Sequence, residues 1–136
     1  MTYGTSTTVG LPFDEAVTAT RDALAEQGFG VLTEIDMSAT LKAKLDVDVP
    51  RQVILGACNP PLAHRALQAE PEIGLLLPCN VIVYEDASGQ VTVSAVDAEA
   101  MMAVVGDSPI IAEVGADARR RLTAAIAAIR SGATVE

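Results

Sequence analysis

The stretch Cys79-Asn80-Val81-Ile82-Val83-Tyr84-Glu85-Asp86-Ala87-Ser88-Gly89-Gln90-Val91-Thr92-Val93-Ser94-Ala95-Val96 decides the fold. Its first seven residues are almost continuously apolar, as expected of a strand in the middle of a sheet. Asp86-Ala87-Ser88-Gly89 has turn composition, and Gln90–Val96 then returns with Val91, Val93 and Ala95 on one face. Two such runs joined by so short a turn form an antiparallel hairpin. A helix follows on each side of that hairpin's neighbours, so the sheet is built by returns and short helical connections.

Working outward, three further strands complete a sheet of about five, mainly antiparallel. Thr2–Val9 reads as the first. Phe29, Val31, Thr33, Ile35 and Met37 alternate along the second and give it one buried face, with Glu34 and Asp36 outward. Arg51–Ala57 is the third. Between the first two lies a helix from Pro12 to Gln27, with acids in its first turn and Gly28 as its stop. Ser38 caps a short helix carrying Leu41 and Leu45. Asn59-Pro60 opens the helical insertion between strands three and four, Asn as cap and Pro at the first helical position. Asp97 caps a short helix. Ser108-Pro109 starts a long last helix with Ile111, Val114, Ala118, Leu122, Ile126 and Ile129 as its apolar stripe. The expectation is one α+β domain with helices on one face of the sheet.

Composition narrows the function classes. The chain has 136 residues, 50% of them hydrophobic but only 3% aromatic, and a net charge of −9. Half apolar content excludes a disordered chain. No apolar run reaches the length of a membrane span, and no secretory leader is seen, so a cytoplasmic protein is expected. Nine basic residues against eighteen acidic ones argue against nucleic acid and against anionic membrane surfaces. Arg119-Arg120-Arg121 does not overturn this, because consecutive helical residues point about 100° apart.

The densest segments are Ile54-Leu55-Gly56-Ala57-Cys58-Asn59-Pro60-Pro61-Leu62-Ala63-His64-Arg65-Ala66-Leu67 and Gly74-Leu75-Leu76-Leu77-Pro78-Cys79-Asn80-Val81. With Gly28-Phe29-Gly30-Val31-Leu32-Thr33-Glu34-Ile35-Asp36, they closely resemble the bacterial and archaeal family called domain of unknown function 302. The resemblance covers nearly the whole chain. It implies a compact α+β domain related to TATA-binding-protein-like folds, and a homodimer. It brings no activity and no catalytic residues, and the fold analogy to a DNA-binding saddle carries no function.

The residues able to do chemistry fall between Cys58 and Asn80. Cys58 precedes a helix N-terminus, where the dipole can lower a thiol pKa. Cys79 begins the next core strand. If strands three and four are antiparallel, the two thiols meet at one sheet edge; a parallel crossover would separate them. Three readings remain open. The favoured one is a dimeric binding module with a small ligand site at Cys58, Asn59, Cys79 and Asn80, each residue also having a plain structural explanation. The second is thiol redox chemistry, with Cys58 reactive and Cys79 resolving. The third is a metal or cofactor site using Cys58, Cys79 and His64, the metal and cofactor unspecified. Against the last, a lone helical histidine beside Arg65 is more often simply exposed. The homodimer contact is expected at Gly74–Pro78, whose leucines need cover, or along the central strands.

Overall fold

A computed structural model describes residues 3–135, with side chains through residue 129. The chain runs β1 (Gly4–Val9), α1 (Phe13–Glu26), β2 (Gly30–Asp36), α2 (Met37–Leu45), β3 (Gln52–Cys58), α3 (Pro60–Ala69), a 3-10 turn (Pro71–Leu76), β4 (Cys79–Glu85), β5 (Val91–Val96), α4 (Ala98–Met102) and α5 (Pro109–Val135). The sheet order is β1-β5-β4-β3-β2, and every neighbouring pair is antiparallel. The run read first in the sequence, β4, is therefore the middle strand.

Alternation sorts the strands into two faces. Val53, Leu55, Ala57, Val81, Val83, Val91, Val93 and Ala95 are all at most 5% exposed. They meet α1 and α5, whose inner stripes supply Phe13, Leu24, Ile111, Leu122 and Ile126. The six expected stripe positions of α5 are all buried. So few aromatics suffice because Val, Leu, Ile and Ala fill the space between one sheet face and the helices that cross it.

Strand β2 departs from expectation. None of its residues is buried. The register slips between Val31 and Thr33, so Leu32 is an extra residue, 67% exposed. One inserted residue reverses the alternation that follows. Val31 still faces the core, but Thr33 pairs with Gly56 and Ile35 with Ile54 on the far face. Glu34 and Asp36, expected outward, turn to the helix side. Glu34 pairs with Arg21 of α1, and Asp36 caps α2 by accepting from the Ala39 N–H at 2.9 Å. Ser38, the expected cap, instead donates its hydroxyl to Asp36 at 2.7 Å. The Asp36 carboxyl is held below its usual range by the Ala39 N–H and then the Ser38 hydroxyl.

The helices that build the core lie on one face. The other face is open. Its central rung runs Ser6, Ser94, Ile82, Ile54 and Ile35 across all five strands. Among the described residues α2 borders it at one corner, where Met37 and Leu41 enclose a hollow with Gln52, Ile54 and Glu85. No residue of α2 is buried.

Candidate functional site

Asn59 holds a junction of three helices. Its side-chain carbonyl accepts from the Leu62 N–H at 3.3 Å, as the N-cap of α3. Its amide donates to the Gln27 carbonyl at 3.4 Å, and Arg121 of α5 donates to the same carbonyl at 3.2 Å. Gly28 sits beneath, at φ +84°, where an added Cβ would stand 3.0 Å from the Asn59 amide nitrogen. Both hydrogen-bonding ends of this asparagine are used in tying α1, α3 and α5 together. Its second partner was invisible in the sequence, because Gln27 lies 32 residues away.

The antiparallel alternative for β3 and β4 is the one realised. Cys79 pairs with Ala57, which leaves Cys58 one register step along the adjacent strand. Both cysteines are free thiols, Cys58 half-buried and Cys79 buried. Both border an internal gap of only about 20 Å³ beneath α3, too small for any ligand. Burial, and secondarily the neighbouring Cys58, push the Cys79 thiol up to about 11. Cys79 is thus a protonated packing group at neutral pH.

His64 does not join them. It is exposed on α3, two positions from both Leu62 and Ala66, the buried residues of that helix. Two positions are about 200° of helical turn, which sends the imidazole away from the core. Among the described residues, no three His, Cys, Asp or Glu side chains come together in a group that could hold a metal ion. The arginine triplet spreads as its spacing requires. Arg119 reaches Glu99 at 3.2 Å and Asp97 at 3.5 Å, Arg120 pairs with Asp117, and Arg121 reaches Asp117 at 3.1 Å.

Asn80 lies apart from Asn59 and Cys79. It faces the open side of the sheet, opposite Gly56. Gly56 cannot carry a side chain: a Cβ there would stand 2.7 Å from Cγ of Pro78 and would collide with the Thr33 hydroxyl. Thr33 and Pro78 thus close over the backbone at one end of the open face. Beyond them is a hollow of about 420 Å³, bordered by Gln52, Asn80, Ile82, Tyr84 and Ser94 among others. Among the described residues, none that lines it is charged. The signal that could have found it is the polar, uncharged alternate register of β4 and β5, readable in the sequence only once the pairing is known.

An antiparallel sheet with core helices on one face and an open, uncharged opposite face defines the class of this domain. The chain belongs to the family described as Domain of unknown function DUF302, which it matches over residues 5–129. The crystal structure of an uncharacterized conserved DUF302 protein from Bacillus stearothermophilus is similar, with a TM-score of 0.87 and 27% sequence identity. That match covers 96% of this chain and 100% of the other. An uncharacterized protein from Aquifex aeolicus (strain VF5) is 26% identical over 88 residues, 65% of this chain and 55% of the relative's length. The aligned part thus spans little more than half of that relative. No helix among the described residues is long and apolar enough to cross a membrane.

Proposed function

We propose that this domain is a non-catalytic binding module whose working surface is the open face of the sheet. The reading moves the candidate site from the Cys58–Asn59–Cys79 cluster to the face that Asn80 shares. One observation carries it. The fifteen outward positions paired across β1 to β5, with Cys58 at the end of β3 left aside, hold no charged residue. At the chain's overall 20% charged content, about three would be expected, and a solvated sheet face is ordinarily polar and charged. The hollow there offers amides and hydroxyls from Asn80, Gln52 and Ser94 around an apolar floor at Ile82. Such a lining suits a small, flat, uncharged ligand, because an ionised one would be desolvated without a partner charge. A cytoplasmic setting, with both thiols free, belongs to this reading.

The test is a titration of the protein with indole, followed by backbone amide shifts. Saturable shifts at Asn80, Ile82, Tyr84 and Ser94 are expected. Shifts confined to the helical side, or none, would remove the proposal.

A second reading has one observation in its favour, the single register step between the thiols. A hydroperoxide would oxidise Cys58 to a sulfenic acid, releasing an alcohol or water. The Cys79 thiol would then displace water to form the disulfide. It ranks second because Cys79, with its thiol at about 11, supplies little thiolate at neutral pH. A two-electron oxidation with stoichiometric peroxide, giving one intramolecular disulfide by mass, is the result it needs.

A further inference from the structure

The helical side of the domain carries a groove larger than the hollow on the open face, about 650 Å³ against about 420 Å³. It runs along α1, from Leu11 just before the helix to Glu26 at its end, with Ala128 and Ile129 supplied by α5. We infer that this groove docks an amphipathic helix of a partner protein, its apolar stripe facing in and lysine or arginine on its flanks. The inference goes beyond the ligand read onto the open face and does not depend on it. Three features support it.

The first is shape. The floor is Leu11, Ala19, Ala23, Ala128 and Ile129. How closely two helices approach is set by the side chains at their contact. Three alanines let a third helix lie close against α1 and α5. The 14 residues of α1 rise about 21 Å, room for a guest of about four turns.

The second is charge. Asp14, Glu15, Asp22 and Glu26 rim the groove, and among the described residues none that lines it is basic. Arg51 engages Asp14 at 2.9 Å. Arg21, next to Asp22 in sequence, is turned to Glu34 instead. A neutral or acidic guest would strip water from these carboxylates without replacing it, whereas a basic one supplies the countercharge.

The third is a conflict inside α1. Asp22 and Glu26 stand four residues apart on one helix face, where like charges repel. They lie in the last two turns, toward the negative end of the helix dipole, and the last turn holds no basic residue. The isolated helix would favour the opposite sign at both positions. A cationic guest relieves the repulsion and the dipole clash together. A local rule broken with no gain inside the chain is the mark of a surface kept for function.

The test uses a synthetic peptide of leucine and lysine, about fourteen residues long, with its leucines on one helical face. It is titrated into the full chain and followed by fluorescence anisotropy and backbone amide shifts. Saturable binding is expected, with shifts at Thr18, Ala19, Ala23 and Ala128 and weakening in added salt. A scrambled peptide of the same composition, and one with glutamate for lysine, should each bind at least about tenfold more weakly. Asp22→Lys combined with Glu26→Lys should also lose about tenfold in affinity, yet melt no lower than the parent, because it removes the conflict in α1. Glu72→Lys combined with Asp107→Lys makes the same change in net charge outside the groove and should bind as the parent does. No saturable binding, shifts confined to other surfaces, equal binding of the scrambled peptide, or equal losses in the two double variants overturns the inference. So does an Asp22→Lys, Glu26→Lys chain that melts well below the parent, since the two acids would then serve the fold.

Discussion

Cys79 lies opposite Ala57, one register step from Cys58 on the adjacent antiparallel strand. The two thiols are neighbours in space but not in environment. Cys58 is half-buried at the end of its strand, and Cys79 is 5% exposed in the core. Titration with an aromatic disulfide reagent at neutral pH should therefore count one thiol in the native protein and two in guanidinium chloride. Two thiols reacting at the same rate in the native state would contradict this placement.

The same burial makes stability depend on alkaline pH. The Cys79 thiol is raised from 9.0 to about 11 in the fold. Between those values the unfolded chain has lost a proton that the folded chain still holds. The contribution is complete below pH 9 and is lost as pH rises through 11, amounting to about 2–3 kcal/mol in all. Unfolding in urea at pH 8 and pH 10.5 should show that loss, and Cys79→Ala should flatten it, apart from its own packing cost.

Acid pH acts through Asp36 with the opposite sign. Its carboxyl is lowered by the Ala39 N–H and the Ser38 hydroxyl. Its contribution is present above the unfolded value near pH 4 and is lost as pH falls through the lower folded value. Asp36→Asn keeps a capping oxygen but cannot titrate, so its stability between pH 4 and 2 should fall less than the parent's. An identical acid limb in both proteins would contradict the capping role.

Asn59→Ala removes an N-cap and leaves the Gln27 carbonyl to Arg121 alone. A loss of about 1–2 kcal/mol is expected in urea unfolding. Asn59→Asp retains the cap acceptor but has no N–H for Gln27, so it should fall between the two. If Asn59→Asp equals the parent, the link to Gln27 contributes nothing.

Gly56→Ala should cost about 1–3 kcal/mol, because its Cβ meets the Pro78 ring and the Thr33 hydroxyl. Thr33→Ser keeps that hydroxyl, whereas Thr33→Gly clears one of the two obstacles. The double variant Gly56→Ala with Thr33→Gly should thus lose less than the sum of its parts. Strict additivity in unfolding free energy would show that Thr33 does not close over Gly56.

Much of this architecture was legible residue by residue, for local reasons. The β4–β5 hairpin is contiguous, so its alternation and turn are read together. Asn59-Pro60 marks a helix start by its own chemistry, and the stripe from Ile111 to Ile129 has one period throughout. What escaped was decided between strands. The extra residue at Leu32 exists only relative to β3, and it reverses which of Thr33, Glu34 and Ile35 face the core. Asp36 displaced Ser38 as the cap because β2 runs directly into α2. The grouping of Cys58, Asn59, Cys79 and Asn80 rests on closeness along the chain alone. Alternation then separated Asn80 from Cys79, and the helix junction took up Asn59.

Ser94→Asp is the most direct test of the open face. Ser94 lies opposite Ile82 and shares a side-chain hydrogen bond of 3.0 Å with Ser6, so one carboxylate there enters the middle of the uncharged surface without touching the core. The account predicts a fold that melts within a few degrees of the parent and no saturable response to indole at Asn80, Ile82 or Tyr84. A variant that keeps the parent's indole response at those residues would contradict the claim that this face is where the domain binds.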